Sequence, residues 1–143
     1  MAASVRMQWA PGLDALLETL AREPLEEAGQ TVLAAMRENI PVSQDGSHGH
    51  PAGYARSRLR VLDRGRDAAG SYLDVGTDAV TPDGESYPAM LEHGTKAHDI
   101  VSHGSYPLRD RHGRIFGRRV HHPGTRPIPW ARISAAVLNG RRL

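Results

Sequence analysis

One long stretch of this sequence repeats its apolar residues at helical spacing, and that stretch sets what the chain can build. In "GLDALLETLAREPLEEAGQTVLAAMRENIP", Leu13, Leu16, Leu17 and Leu20 fall at i, i+3, i+4 and i+7. The pattern resumes beyond Pro24 with Leu25, Ala28, Val32, Ala35, Met36 and Ile40. Proline is well placed in the first turn of a new helix, where no amide donor is needed. Glu26 and Glu27 would then complement the helix dipole. The spacing therefore predicts a helical segment over 12–40, either a short helix then a longer one, or one kinked helix. It ends near Asn39, ahead of Pro41. The stripe reads as core packing and not as a cofactor box.

The periodicity then changes. Residues 41–57 are dense in Gly, Pro, Ser and His and read as an exposed loop. His48 and His50 lie in it as a flexible HxH, better read as solvated than as metal ligands. Over 58–78 the pattern has a period of two. "SRLRVLD" sets Leu59 and Val61 against Arg58 and Arg60, and "GSYLDVGT" sets Leu73 and Val75 against Tyr72 and Asp74. These are expected to pair as antiparallel strands across "RGRDAAG". A turn-rich segment and a hairpin fill 79–124. "YPAMLEHGT" is a helical turn or strand ending at Gly94-Thr95. "SYPLRD" and "RIFGRRVHH" are the arms of the hairpin, around a turn in which Gly113 supplies a positive φ. "PIPWARISAAVLNG" predicts a C-terminal helix over 128–140, with Trp130, Ile133 and Val137 on one face. The predicted class is α+β: a single domain with an N-terminal amphipathic helix and a C-terminal helix on a small antiparallel sheet, plus a projecting Arg-rich hairpin.

Composition limits the function. A chain of 143 residues can bury roughly two-thirds of its unfolded surface, so a core is feasible. There is no cysteine, which removes disulfides and thiolate metal sites. No apolar run approaches membrane-spanning length, and the first dozen residues lack the apolar core of a signal peptide. The net charge of +2 hides a gradient. Residues 1–50 hold three Arg against seven Asp or Glu, and residues 105–143 hold nine Arg against Asp110 alone. Such asymmetry suits nucleic acid, or an acidic surface on an identical neighbour.

Eight histidines raise the question of catalysis. HExxH is absent, no Gly-rich phosphate loop is present, and the His121-His122 pair lacks the later histidine of a histidine-based nuclease. A cluster of Glu92, His98, His121 and His122 is conceivable if strands bring them together. The simpler reading makes Gly94-Thr95 and Gly124-Thr125 structural corners that fix how the last helix docks, with Glu92 pairing to an arginine. No catalytic residue, cofactor or metal is expected. The contact candidates are Glu92, Arg109, Arg111, Arg114, Arg118, Arg119 and Arg126. Trp130 and Tyr87 read as packing residues.

Several motifs fall in a telling order: "NIPV" at Asn39–Val42, "GYARSRLRV" at Gly53–Val61, "VGT" at Val75–Thr77, "YPAMLEHGT" at Tyr87–Thr95 and "HPGTRPIPW" at His122–Trp130. From about Leu25 onward the chain resembles the small neck or tail-completion proteins of long-tailed double-stranded DNA bacteriophages. It departs from them in the longer "SQDGSHGHPAG" after the proline turn. The resemblance implies a non-enzymatic virion protein, assembled in the bacterial host cytoplasm, that joins the DNA-filled head to the tail. It implies a homo-oligomeric ring, adjacent neck, connector or tail-tube proteins as partners, and DNA passing through the lumen without sequence readout. Two alternatives stand beside it: a small basic nucleic-acid-binding module, and a histidine-based metal-dependent hydrolase.

Overall fold

The computed structural model describes residues 3–8, 15–44, 46, 49–110 and 112–139, without the side chains of residues 15–18 and 21. The chain is α+β, with its core between one long helix and a three-stranded antiparallel sheet. In order, the elements are β1 (Ala3–Gln8), α1 (Ala15–Asn39), α2 (Tyr54–Ser57), β2 (Leu59–Asp67), β3 (Gly70–Thr77), α3 (Tyr87–His93), β4 (His98–Val101), β5 (Leu108–Arg109), β6 (Ile115–Gly117), β7 (Arg119–His122) and α4 (Trp130–Ala135). A 3₁₀ turn, Ala136–Leu138, extends α4. No helix among the described residues is long and apolar enough to cross a membrane.

The main sheet has the order β1-β3-β2. Its strand register explains why it is two-faced. Ala3 pairs with Thr77, Val5 with Val75 and Met7 with Leu73, and these side chains face α1. The intervening pair Arg6 and Asp74 faces away. Alternation of this kind is what a half-covered sheet requires. On α1, Ala28, Val32, Leu33 and Met36 form the matching buried stripe. Gly29 lies where helix and sheet come closest: a Cβ there would stand 2.4 Å from a Leu73 methyl.

Strand β2 breaks its own alternation. A β-bulge between Val61 and Asp63 absorbs Leu62 as an extra residue. Beyond it, Asp63 lies opposite Asp74 on the outer face, and Arg64 turns to the helix side and pairs with Glu26 at 2.8 Å. The outer face is a polar network. Arg6 grips Asp74 through two bonds of 2.8 Å, sits 4.1 Å over the Tyr72 ring and reaches Asp67; the Tyr72 hydroxyl donates to Asp63. At the end of β3, Thr77 is fully buried, donating to Ala55 O and accepting from Ala79 N. Next to it, Asp78 is clamped by Arg58 and Arg60, and the Arg58 hydrogen bonds hold its carboxyl at about 2.

The fold differs from the sequence expectations in specific places. Strand β1 was not expected, although Val5 and Met7 alternate with Ser4, Arg6 and Gln8. Of the two readings at Pro24, the single helix holds: Pro24 sits inside a continuous 25-residue helix and not at the start of a second one. It forgoes the amide that would bond to Leu20 O, and Glu26 serves Arg64 instead of a helix terminus. The loop predicted at 41–57 contains α2, with Ala55 buried. His50 is only partly solvated: its ring stacks on Tyr54 at 3.8 Å and its Nε2 lies 2.6 Å from Val80 O. Of the link "RGRDAAG", only Ala68 and Ala69 are a turn; Arg64–Asp67 extend β2. The last helix starts at Trp130, not 128. Residues 12–14, His48 and Gly140 of the predicted segments lie outside the described residues.

Two outcomes are expected. Leu73→Ala removes the side chain over which Gly29 closes and should cost about 2–5 kcal/mol, read as a lower urea midpoint at unchanged slope. Because the Asp78 carboxyl titrates lower in the folded than in the unfolded chain, its contribution is complete above pH 3.8 and is lost as pH falls through about 2. As pH falls from 3.8 through about 2, wild-type stability followed by circular dichroism should therefore decline as Asp78 takes up its proton. Asp78→Asn should flatten that part of the stability–pH curve.

Candidate functional site

Two corners predicted from sequence meet each other. Gly94 and Gly124 both have positive φ, +72° and +85°. Each brings the following threonine into an isolated antiparallel bridge. Thr95 N donates to Thr125 O and Thr125 N to Thr95 O, both at 3.1 Å, and the two hydroxyls lie 3.0 Å apart. Glycine is needed here for space as well as for φ. A Cβ on Gly94 would stand 2.5 Å from Thr125 O, and one on Gly124 would stand 2.3 Å from Thr95 O.

The clasp docks the last helix. Ser86 caps α3 by accepting from Ala89 N, and Pro88 takes an early position where its missing amide costs nothing. Ile128 N donates to Leu91 O at 2.7 Å. The Trp130 indole donates to Pro88 O at 3.0 Å, and the residue is only 1% exposed. Tyr87 is buried too, which pushes its hydroxyl pKa up against the opposing effect of a hydrogen bond to the Ala55 backbone. Both are packing residues, as expected. Asn39 of α1 donates to Ser134 Oγ, which in turn donates to Trp130 O.

Glu92 does not pair with an arginine. Its carboxylate accepts from Ala131 N at 2.7 Å and Arg132 N at 3.3 Å, so it caps the start of α4. The reason is that Pro129 precedes the helix and has no polar side chain to satisfy the free amides. Both of its carboxylate oxygens are thus engaged by backbone amides.

Beyond the clasp, the chain runs out and back as an arm. Strand β4 pairs with β7 at its base, and β5 with β6 near its tip. At the tip, Gly113 has a φ of +82° and the Asp110 carboxylate accepts from the amides of His112 and Arg114. Arg111 lies outside the described residues. At the base, His98 faces His122 and Asp99 faces His121. Asp99 also takes the guanidinium of Arg119, whose hydrogen bonds, ahead of that from His121, lower the Asp99 pKa. Arg118 donates to Gly104 O at 2.8 Å and shapes the bend. These two arginines therefore hold the arm's own form.

Three predicted contact residues are left with outward guanidinium groups. Arg109, Arg114 and Arg126 are exposed and make no side-chain hydrogen bond or ion pair among the described residues. Apolar side chains stand beside them. Tyr106 is 77% exposed and Ile115 is 59% exposed, and Ile100, Val101 and Phe116 are also open. Arg109 and Ile115 are cross-strand partners, so the tip presents a cation and an apolar group on one face. Sequence reasoning found the arginines but not these apolar neighbours. Their short, irregular strands carry no periodic signal.

Among the described residues no group of three His, Asp or Glu could hold an ion. The His98 and His122 rings stack at 5.0 Å. His122 Nδ1 accepts from Gly124 N, so in its neutral form this ring carries its proton on Nε2 and has no second lone pair to offer. A hollow of about 520 Å³ between α1 and the β2–β3 turn is lined by Leu25, Leu73 and Tyr72 together with Thr19, Ser71, Glu26 and the arginines Arg22, Arg64 and Arg66. Compared with known proteins, the chain matches no family model, no curated protein and no solved structure.

Gly124→Ala should be far more damaging than Gly113→Ala. Both incur the left-handed strain of about 1–2 kcal/mol, but only position 124 meets backbone; position 113 has nothing within 4 Å. Thermal melts should rank them in that order, and hydrogen exchange at the Ile128 amide should quicken only in Gly124→Ala.

Proposed function

We propose that this protein is a structural component of a phage neck, a ring of identical copies that joins the DNA-filled head to the tail and lines the DNA channel. The arm is the observation that carries this reading. It runs from His98 to His122, its strands pack chiefly on each other, and its apolar and basic side chains lie open. An isolated two-stranded ribbon is marginal in water. Burial against another molecule would cover its apolar groups and give its guanidinium groups carboxylate or phosphate partners.

The ordered motifs shared with neck and tail-completion proteins support the same reading. They include the residues that build the clasp, Gly94-Thr95 and Gly124-Thr125, and the docked Trp130. Those residues rigidify the base of the arm, and a contact element held at a fixed angle favours repeated, identical contacts. A head-to-tail contact repeated at one angle closes into a ring when its rotation divides a full turn and it carries no rise. Free arginines facing a lumen would meet phosphate without reading sequence. Nothing in this role calls for catalysis, a cofactor or a membrane. The proposed setting is the virion neck, after assembly in the host cytoplasm beside connector and tail-tube proteins.

A second reading has one observation in its favour, the guanidinium groups of Arg109, Arg114 and Arg126, which have no partner among the described residues. A small nucleic-acid-binding module could use them on phosphate. The experiments separate the two. Negative-stain electron microscopy of the purified protein, or of particles containing it, should show closed rings. Monomers at every concentration and salt tested would refute the ring. A mobility shift with duplex DNA over a salt series reads the other case, since a module built on phosphate contacts loses affinity steeply as salt rises.

A further inference from the structure

The arm's docking surface on a second copy can be named. Helix α1 presents an outward stripe that no described residue of its own chain covers. Leu20, Glu23, Glu27, Gln30, Ala34 and Glu38 recur at three- and four-residue intervals and are all exposed. Glu23, Glu27 and Glu38 have no side-chain partner among the described residues, whereas Glu26, on the inner flank, is held by Arg64. Leu20 is 65% exposed at the same stripe's start, an open apolar residue beside two free carboxylates.

We infer that the tip of the arm of one copy lies on this stripe of the next, with Arg109 and Arg114 against Glu23 and Glu27, and Ile115 against Leu20. The chemistry matches in kind and in order. The tip offers a cation and an apolar group side by side on one face, and the stripe offers carboxylates and an apolar group side by side. A duplex would take the arginines but leave Ile115, Phe116 and Leu20 in water. A second copy covers both kinds of group. Arm and stripe are different patches of one molecule, so the contact is heterologous and repeats around a ring. This inference rests on the ring reading above and specifies its contact.

The test is a charge swap in the full-length chain, read by sedimentation velocity. Two variants are made, Arg109→Glu with Arg114→Glu, and Glu23→Arg with Glu27→Arg. These side chains have no partner among the described residues, so the thermal midpoints of both variants should match wild type. Wild type should assemble, and each variant alone should assemble at least ~10-fold more weakly. An equimolar mixture should recover assembly, because the reversed arm of one meets the reversed stripe of the other and the remaining contacts are native. Leu20→Ser should weaken assembly without touching charge. If wild type assembles and the reversals leave its size unchanged, the docking surface is wrong and the ring stands. If both reversals abolish assembly and the mixture fails to recover, the pairing is also wrong. Loss of duplex binding in the arm variant with unchanged assembly assigns the arm to nucleic acid and overturns the inference. A wild type that never assembles refutes the ring itself.

Discussion

The reciprocal bond between Thr95 and Thr125 is what the second half of this molecule depends on. It joins two points thirty residues apart, and the intervening chain becomes an arm because its ends are pinned there. The same pin sets where the chain re-enters the body. From Thr125 the path reaches Leu91, Pro88 and Glu92 within six residues, and each supplies a bond that the incoming segment lacks. Two glycines make the pin possible, because each places its α-carbon against the other corner's carbonyl. Without that approach, α4 would have neither a cap nor a seat for its tryptophan.

The body obeys a more ordinary constraint. One helix covers one face of a three-stranded sheet, and the strand register decides which residues are inside. "VGT" shows how three residues divide the labour. Val75 fills the core, Gly76 lets β1 come within 2.2 Å of where a Cβ would be, and Thr77 ties the strand end to α2 through its hydroxyl. The opposite face is satisfied by ions and hydrogen bonds among its own residues.

Much of this was legible in the chain itself. The helical stripe from Ala28 to Ile40 and the alternation at Leu59, Val61, Leu73 and Val75 gave the core directly, because burial on one face leaves a regular imprint. The corners were readable from Gly-Thr, as a tight turn needs glycine. What escaped depends on distant partners. Strand β1 is six residues long and declares itself only beside β3. Pro24 reads as a helix start until tertiary packing carries the helix past it. Glu92 was expected to meet an arginine, since charge is visible in sequence, while a backbone amide 39 residues away is not. Of the arginines, sequence alone could not separate those that brace the arm, Arg118 and Arg119, from those that point outward.

The ionic outer face of the sheet has a consequence for how copies can stack. A second layer laid over Arg6, Asp67, Asp74 and Tyr72 would have to strip water from charges already matched to one another, with little oily area gained in return. That wall is therefore closed to face-on lamination. A partner is better met at the protruding finger, where Ile115 and Phe116 lie open and charges unmatched among the described residues stand beside them.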